Sequence, residues 1–126
     1  MYTDMYKTEF NCLAKFDCKS SPQRVCWRYG DTVFLNFELE NIEIQDPTAS
    51  LCITFYNYEF EPVHMEVFYV TELHEPVIHY MLDASSASKI FRPGLYYCGL
   101  THRYIDEGHE IIKTIVNPDE FIINVI

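Results

Sequence analysis

YGDTVFLNFELEN, residues 29–41, opens on a turn signal, Gly30-Asp31, and continues as a long alternating run. Val33, Leu35, Phe37 and Leu39 fall on one side; Phe34, Asn36, Glu38 and Glu40 fall on the other. Period-2 alternation of this kind predicts a strand with one face in a core and one in water. Asp31 and Thr32, just after Gly30, are placed to tie the start of that strand by side-chain to backbone hydrogen bonds.

Working outward, the same period recurs. Downstream, Leu51–Tyr58 reads as a strand with Leu51, Ile53 and Phe55 inward, and Asn57–Pro62 as a turn. Val63–Val70 follows, with Val63, Met65 and Val67 expected inward and His64 and Glu66 outward. Val77–Leu82 places Ile78 and Tyr80 inward. Asp83–Lys89, DASSASK, is a short helical crossover with Asp83 as N-cap. Pro93-Gly94 ends it and starts a strand over Leu95–Tyr104. A hairpin turn at Asp106-Glu107-Gly108 leads into His109–Val116. Asn117-Pro118-Asp119 interrupts that strand, and Glu120–Ile126 completes it as an edge, where a proline is tolerated.

Upstream lies a segment of different character. Thr8–Phe16 forms a weaker alternating run with Phe10, Cys12, Ala14 and Phe16 on one face, and Ser20-Ser21-Pro22 is a loop. RVCWR, residues 24–28, is a short strand with Val25 and Trp27 on one face. The single Trp is an anchor, either in the core or at a contact. About seven short strands with turns between them predict an all-β antiparallel sandwich over residues 28–126, preceded by an N-terminal arm or extra strand over residues 1–27.

Composition agrees. The chain has 126 residues, enough for one domain with one core. Ten Tyr and nine Phe against four Gly favour a pleated, half-buried surface. The net charge of −10 argues against a nucleic-acid partner. It is unevenly spread: Lys7, Lys15, Lys19, Arg24 and Arg28 against Asp4, Glu9 and Asp17 give residues 1–28 a net +2, and the remaining 4 basic and 16 acidic residues give −12. Nothing in the sequence reads as a signal peptide or a membrane span, so a reducing cytoplasm and unbridged thiols at Cys12, Cys18, Cys26, Cys52 and Cys98 are expected.

Catalytic signatures are weak. His64, His74, His79, His102 and His109 show no metal-ligand spacing; His102 and His109 flank a hairpin, which on its own does not spell a tetrahedral set. No GxSxG and no phosphate-binding glycine loop occurs. No enzyme activity, cofactor or metal is expected. Tyr96, two residues before Cys98, is placed for a tyrosine corner, whereas Val33–Glu40 lacks the cysteine that an inter-sheet disulfide needs.

RYGDTVFLNFELEN (28–41), the two central strands, the Asp/Ser crossover with PGLYYCGL (93–100), and the closing EFIINVI (120–126) together resemble small immunoglobulin-like domains of tailed-phage structural proteins. Among these are the N-terminal domain of baseplate upper proteins and capsid auxiliary proteins. The resemblance spans about residues 28–126; the segment 1–27 departs from it. It implies structural roles for Gly30, Asp31, Thr32, Pro93, Gly94 and Tyr96. Baseplate upper proteins continue into receptor-binding modules, whereas this chain stops on its last strand, which favours a virion-located capsid decoration protein with capsid or tail proteins and further copies of itself as partners. On that reading Phe10, Phe16 and Trp27 are apolar anchors and Lys15, Arg24 and Arg28 charge partners for docking, unless the aromatics fill the body's own core. A tail, baseplate or fibre-attachment adaptor is the next reading. A glycan- or peptide-binding module using Tyr56, Tyr58, Phe60 and Tyr69 is another, and an inhibitor of a host factor remains open.

Overall fold

Nine strands make the two sheets of a sandwich in the computed structural model, which describes residues 9–15, 23–40 and 46–126. They are β1 (Glu9–Lys15), β2 (Gln23–Trp27), β3 (Val33–Glu40), β4 (Ser50–Asn57), β5 (Pro62–Tyr69), β6 (Val77–Leu82), β7 (Gly94–Asp106), β8 (His109–Val116) and β9 (Phe121–Val125). One helix, α1 (Ala84–Ile90), crosses between the sheets. The smaller sheet runs β1-β3-β6; the larger runs β2-β9-β7-β4-β5, with β8 also on β7. β8 pairs with the distal half of β7 and β9 with its proximal half. The two are therefore one strand position broken at Asn117-Pro118, as the sequence reading expects. With that position counted once, the nine described strands fill eight positions of an all-β sandwich.

The organising strand behaves as its alternation requires. Val33, Leu35, Phe37 and Leu39 are buried, and Phe37 is fully so. Leu51, Ile53 and Phe55 from β4, Ile78 and Tyr80 from β6, and Cys98 and Leu100 from β7 close on them. Phe91, the residue after α1, sits among the rings of Trp27 (5.3 Å), Phe55 (5.2 Å) and Tyr96 (5.0 Å), each edge to face. Asp83 caps α1 by accepting from the Ser86 N–H at 2.7 Å. Tyr96 is a tyrosine corner: its hydroxyl accepts from the Arg92 N–H at 2.8 Å. Tyr96→Phe removes that bond and leaves a part-buried N–H unpaired, so the urea midpoint should fall by the equivalent of about 1 kcal/mol with an unchanged slope.

Two expectations need correction. First, β5 is turned over: Val63, Met65 and Val67 face outward, while His64 and Phe68 face inward. Register with β4 sets this, because Phe55 lies opposite His64 and Leu51 opposite Phe68, and opposed residues share a face. His64 stacks over Phe55 at 6.3 Å, and Phe68 meets Tyr80 edge to face at 6.1 Å. Second, the 28–31 turn is closed by backbone, from the Asp31 N–H to the Arg28 carbonyl at 3.1 Å, rather than by the side chains of Asp31 or Thr32. Gly30 supplies the left-handed corner with φ +91°. Within residues 1–27, expected as an arm or extra strand, the described parts are strands. β1 pairs in parallel with β3, and β2 pairs in parallel with β9, so the segment contributes a strand to each sheet.

Of the two places expected for Trp27, core or contact, it takes the core: it is 6 % exposed and packed on Phe91.

Candidate docking face

The six strands of the larger sheet turn one side to the core and the other outward, and pairing register identifies the outward set. On β4 it is Ser50, Cys52, Thr54 and Tyr56; opposite them on β5 are Tyr69, Val67 and Met65, and on β7 Arg103, Thr101, Gly99 and Tyr97. Ile122 of β9 and Ile112 and Thr114 of β8 continue the surface. The chain carries 9 basic and 19 acidic residues. Among the described residues, the charged ones at outward strand positions of this sheet are Arg24, Arg103 and Glu110, and the last two neutralise each other at 2.6 Å. The centre is thus uncharged and partly apolar. A broad face of that kind is the feature of a protein surface that points to a contact.

Two parts of the face are built with particular care. At the β4–β5 turn, the Asn57 Oδ1 accepts from the Glu59 N–H at 2.9 Å and the Glu61 N–H at 3.0 Å. The Phe60 N–H closes on the Asn57 carbonyl at 2.9 Å. This lattice holds Phe60 at φ +60°, a region a bulky residue seldom occupies. Its ring then lies over Tyr97, centroids 4.3 Å apart and nearly parallel. A cleft of about 370 Å³ opens beside this turn, where Tyr58, Val63 and Leu95 meet the Arg92 loop. The Arg92 guanidinium is held by the Tyr29 hydroxyl at 2.6 Å and the Ser88 carbonyl at 3.3 Å.

The second part is the β5 edge. Val63 (37 %), Met65 (63 %), Val67 (51 %) and Tyr69 (56 %) are exposed in a row. β5 ends its sheet, and no described strand pairs with its outer edge. Pro62 at its first position is the mark of such a strand. Neither Lys nor Arg, the usual guards of an exposed edge, occurs between Arg28 and Lys89. That gap was visible in the sequence and is the signal by which this surface could have been found.

The residues singled out for docking are scattered. Arg24 and Arg28 are exposed, on and just after β2. Phe16 lies outside the described residues, as do the side chains of Phe10 and Lys15; the backbone of Phe10 pairs with Leu35 and that of Lys15 with Glu40. Gly30, Asp31, Thr32, Pro93 and Gly94 sit at the Trp27 end of the sandwich, in or beside its turns. Tyr56 is part-buried, whereas Tyr58, Phe60 and Tyr69 are exposed.

Among the described residues, no three His, Cys, Asp or Glu side chains form a metal-holding group. His102 pairs across the hairpin with Lys113, and His109 with Asp106, so the two histidines do not meet. Cys52 points outward and Cys98 inward, so no bridge joins them. Burial, with the Glu66 carboxylate nearby, pushes the Tyr80 hydroxyl far above the ordinary phenol value. At the other end of the sheet, the Asp46 carboxylate accepts from the Thr48 side chain and N–H, which hold it below its usual range. Among the described residues, no helix is long and apolar enough to cross a membrane.

Through His102 the fold is expected to be pH-sensitive. Stacked on Tyr104 at 4.9 Å and half-buried, its imidazole is held below its ordinary pKa by desolvation, with Lys113 adding to this and Asp46 opposing it. The unfolded chain takes up that proton first as pH falls below about 6.5, so this contribution is complete above that pH and is lost on acidification down to the folded pKa. The urea midpoint should therefore drop between about pH 7.5 and pH 5.5, and the drop should shrink in His102→Gln.

No family model matches the chain, and no curated protein matches it significantly.

Proposed function

We propose that the protein is a non-enzymatic assembly module, a sandwich that docks on other proteins through the outer face of its larger sheet. The observation that carries this reading is the uncharged centre of that face in a chain of net charge −10. Docking there would bury Thr54, Tyr56 and Tyr97 without desolvating a charge, the expensive step in most associations. The resemblance of residues 28–126 to immunoglobulin-like phage structural domains supplies the setting: a virion, and within it a capsid shell that the module decorates and stabilises. A tail or baseplate adaptor is the second setting. The stacked pair of Phe60 and Tyr97 favours a further reading, a glycan-binding module, because sugars stack on such rings.

Copy number in purified virions tests the setting. Hundreds of copies per particle are expected for a shell protein and about six to eighteen for a tail or baseplate component; absence from particles overturns both. Thr54→Arg tests the face. It puts a cation at the centre of the docking surface, on an outward position, and should leave folding intact while cutting incorporation at least tenfold. Normal incorporation of that variant would remove the face from consideration, and binding on a glycan array by the isolated chain would favour the sugar reading.

A further inference from the structure

The two open edges of the larger sheet differ, and so does that of β8. β2 carries Arg24, and β8 carries Lys113 and Glu110. On the outer edge of the smaller sheet, β6 turns His79 outward into bonds with Asn36 at 2.9 Å and Glu75 at 3.2 Å. β5 presents eight residues with one formal charge, Glu66, and the longest row of exposed apolar side chains among the described edges. From His64 to Tyr69, beyond the register shift at its start, such an edge is a template for another strand.

We infer that β5 pairs with β5 of a second copy, antiparallel about a two-fold axis through Met65, joining two sheets into one. The register follows from the side chains. Centred on Met65, the pairing puts Met65 opposite Met65 and Val63 opposite Val67 on the outer side. On the inner side it puts His64 opposite Glu66, twice. Every opposed pair between Val63 and Val67 is then apolar on apolar or imidazole on carboxylate, the combinations that stabilise a ladder. A one-residue shift of the centre to Glu66 sets carboxylate against carboxylate. A centre at Val67 sets Glu66 against Phe68 and leaves His64 beyond the pairing. A two-fold interface must be complementary to itself, and the Met65 register meets that condition.

Other features agree with this occupant. Pro62 lacks an N–H but lies at the end of the pairing, where a missing donor matters least. Glu66 and His64 already approach within one chain, Nε2 to Oε2 3.8 Å, so the four groups of a dimer would form an alternating cluster. The inference deepens the docking reading, since it names a second copy as one partner, at the rim of the same face.

The test uses the full chain in sedimentation velocity over about 1–200 µM. A strand-pair interface is small, so a dimer constant of about 10–100 µM is expected. Met65→Lys brings two ammonium groups face to face on the axis and should weaken the dimer at least tenfold. His64→Glu should do the same by opposing Glu66, and combining it with Glu66→His should restore dimerisation. Met65 is solvent-accessible, so the near-ultraviolet spectrum of Met65→Lys should match the unmodified chain; His64 stacks on Phe55, so each His64 variant is compared only at matched folded fraction. Register is read by oxidation. Met65→Cys should cross-link above the background of the native cysteines, because opposed residues lie about 5 Å apart; Val67→Cys should not, because its copies lie about 13 Å apart.

A chain that is monomeric at about 200 µM overturns the inference. So does a dimer indifferent to Met65→Lys, or equal cross-linking at both positions. A monomer found in hundreds of copies per virion would defeat the pairing and leave the docking reading standing; a dimer absent from virions would do the reverse.

Discussion

Trp27→Ala is expected to destabilise the protein by about 3–5 kcal/mol, enough to remove a large fraction of a typical domain's stability. The size of the effect comes from what Trp27 touches. Its indole meets Phe91 edge to face, and Phe91 is also held by Phe55 and Tyr96. Phe91 ends the crossover helix, so the same cluster fixes where β6 hands the chain to β7. Removing the indole leaves a cavity beside Phe91, in a place where β2 cannot collapse inward without leaving β9. The neighbouring position gives the control. Cys26→Ala, on the outward side of the same strand, should change the urea midpoint by no more than about 0.5 kcal/mol. If Trp27→Ala folds with an unaltered midpoint and loses only assembly, Trp27 serves a partner and its burial in the isolated chain carries no structural weight.

The contrast between Trp27 and β5 shows what local pattern can tell. The alternation of Val33–Glu40 was decisive because its two sides differ sharply in polarity, so one register is much better than the other. The same holds for Leu51–Phe55 and for Ile78 and Tyr80. β5 offers no such contrast. One side carries Val63, Met65, Val67 and Tyr69, the other His64, Glu66, Phe68 and Val70, and hydropathy prefers the first set. The turn decides otherwise. Asn57 gathers the Glu59 and Glu61 amides, Phe60 adopts a left-handed conformation, and pairing shifts between Phe55 and Tyr56. Those choices bring His64 over Phe55, and the apolar row goes outside. A period-2 reading contains no information about turn geometry, so it could not see the flip. Yet the outward row is what makes the edge a candidate contact. The strand pairing of the N-terminal segment was hidden for a related reason. Partners of β1 and β2 lie in β3 and β9, and no local pattern reports a parallel partner at a distance.

Deleting residues 1–27 should abolish cooperative folding, whereas deleting residues 1–22 should leave a folded chain of reduced stability. The longer deletion removes β2 whole, with the Trp27 indole and the backbone ladder that joins Gln23–Trp27 to Phe121–Val125. The ladder is continued by the Ile126 N–H on the Trp27 carbonyl (2.9 Å) and the Tyr29 N–H on the Ile126 carbonyl (2.8 Å), so the last strand loses its outer partner along its length. Loss of the Trp alone is worth about 3–5 kcal/mol, and baring β9 and β3 adds to it, against a total stability of about 5–15 kcal/mol. The shorter deletion removes β1 and bares one side of β3, but it retains β2, Trp27 and every residue of the central cluster. Urea unfolding followed by near-ultraviolet circular dichroism separates the two: a sharp transition at a lower midpoint for the chain beginning at residue 23, and none for the chain beginning at residue 28. The comparison also divides structure from docking. If the chain from residue 23 folds but no longer enters particles, Phe10, Lys15 and Phe16 keep the docking role assigned to them on sequence, and the segment works in both capacities. If the chain from residue 28 unfolds as sharply as the whole protein, residues 1–27 are a separable arm after all, and the pairing of β2 with β9 contributes little to the sandwich.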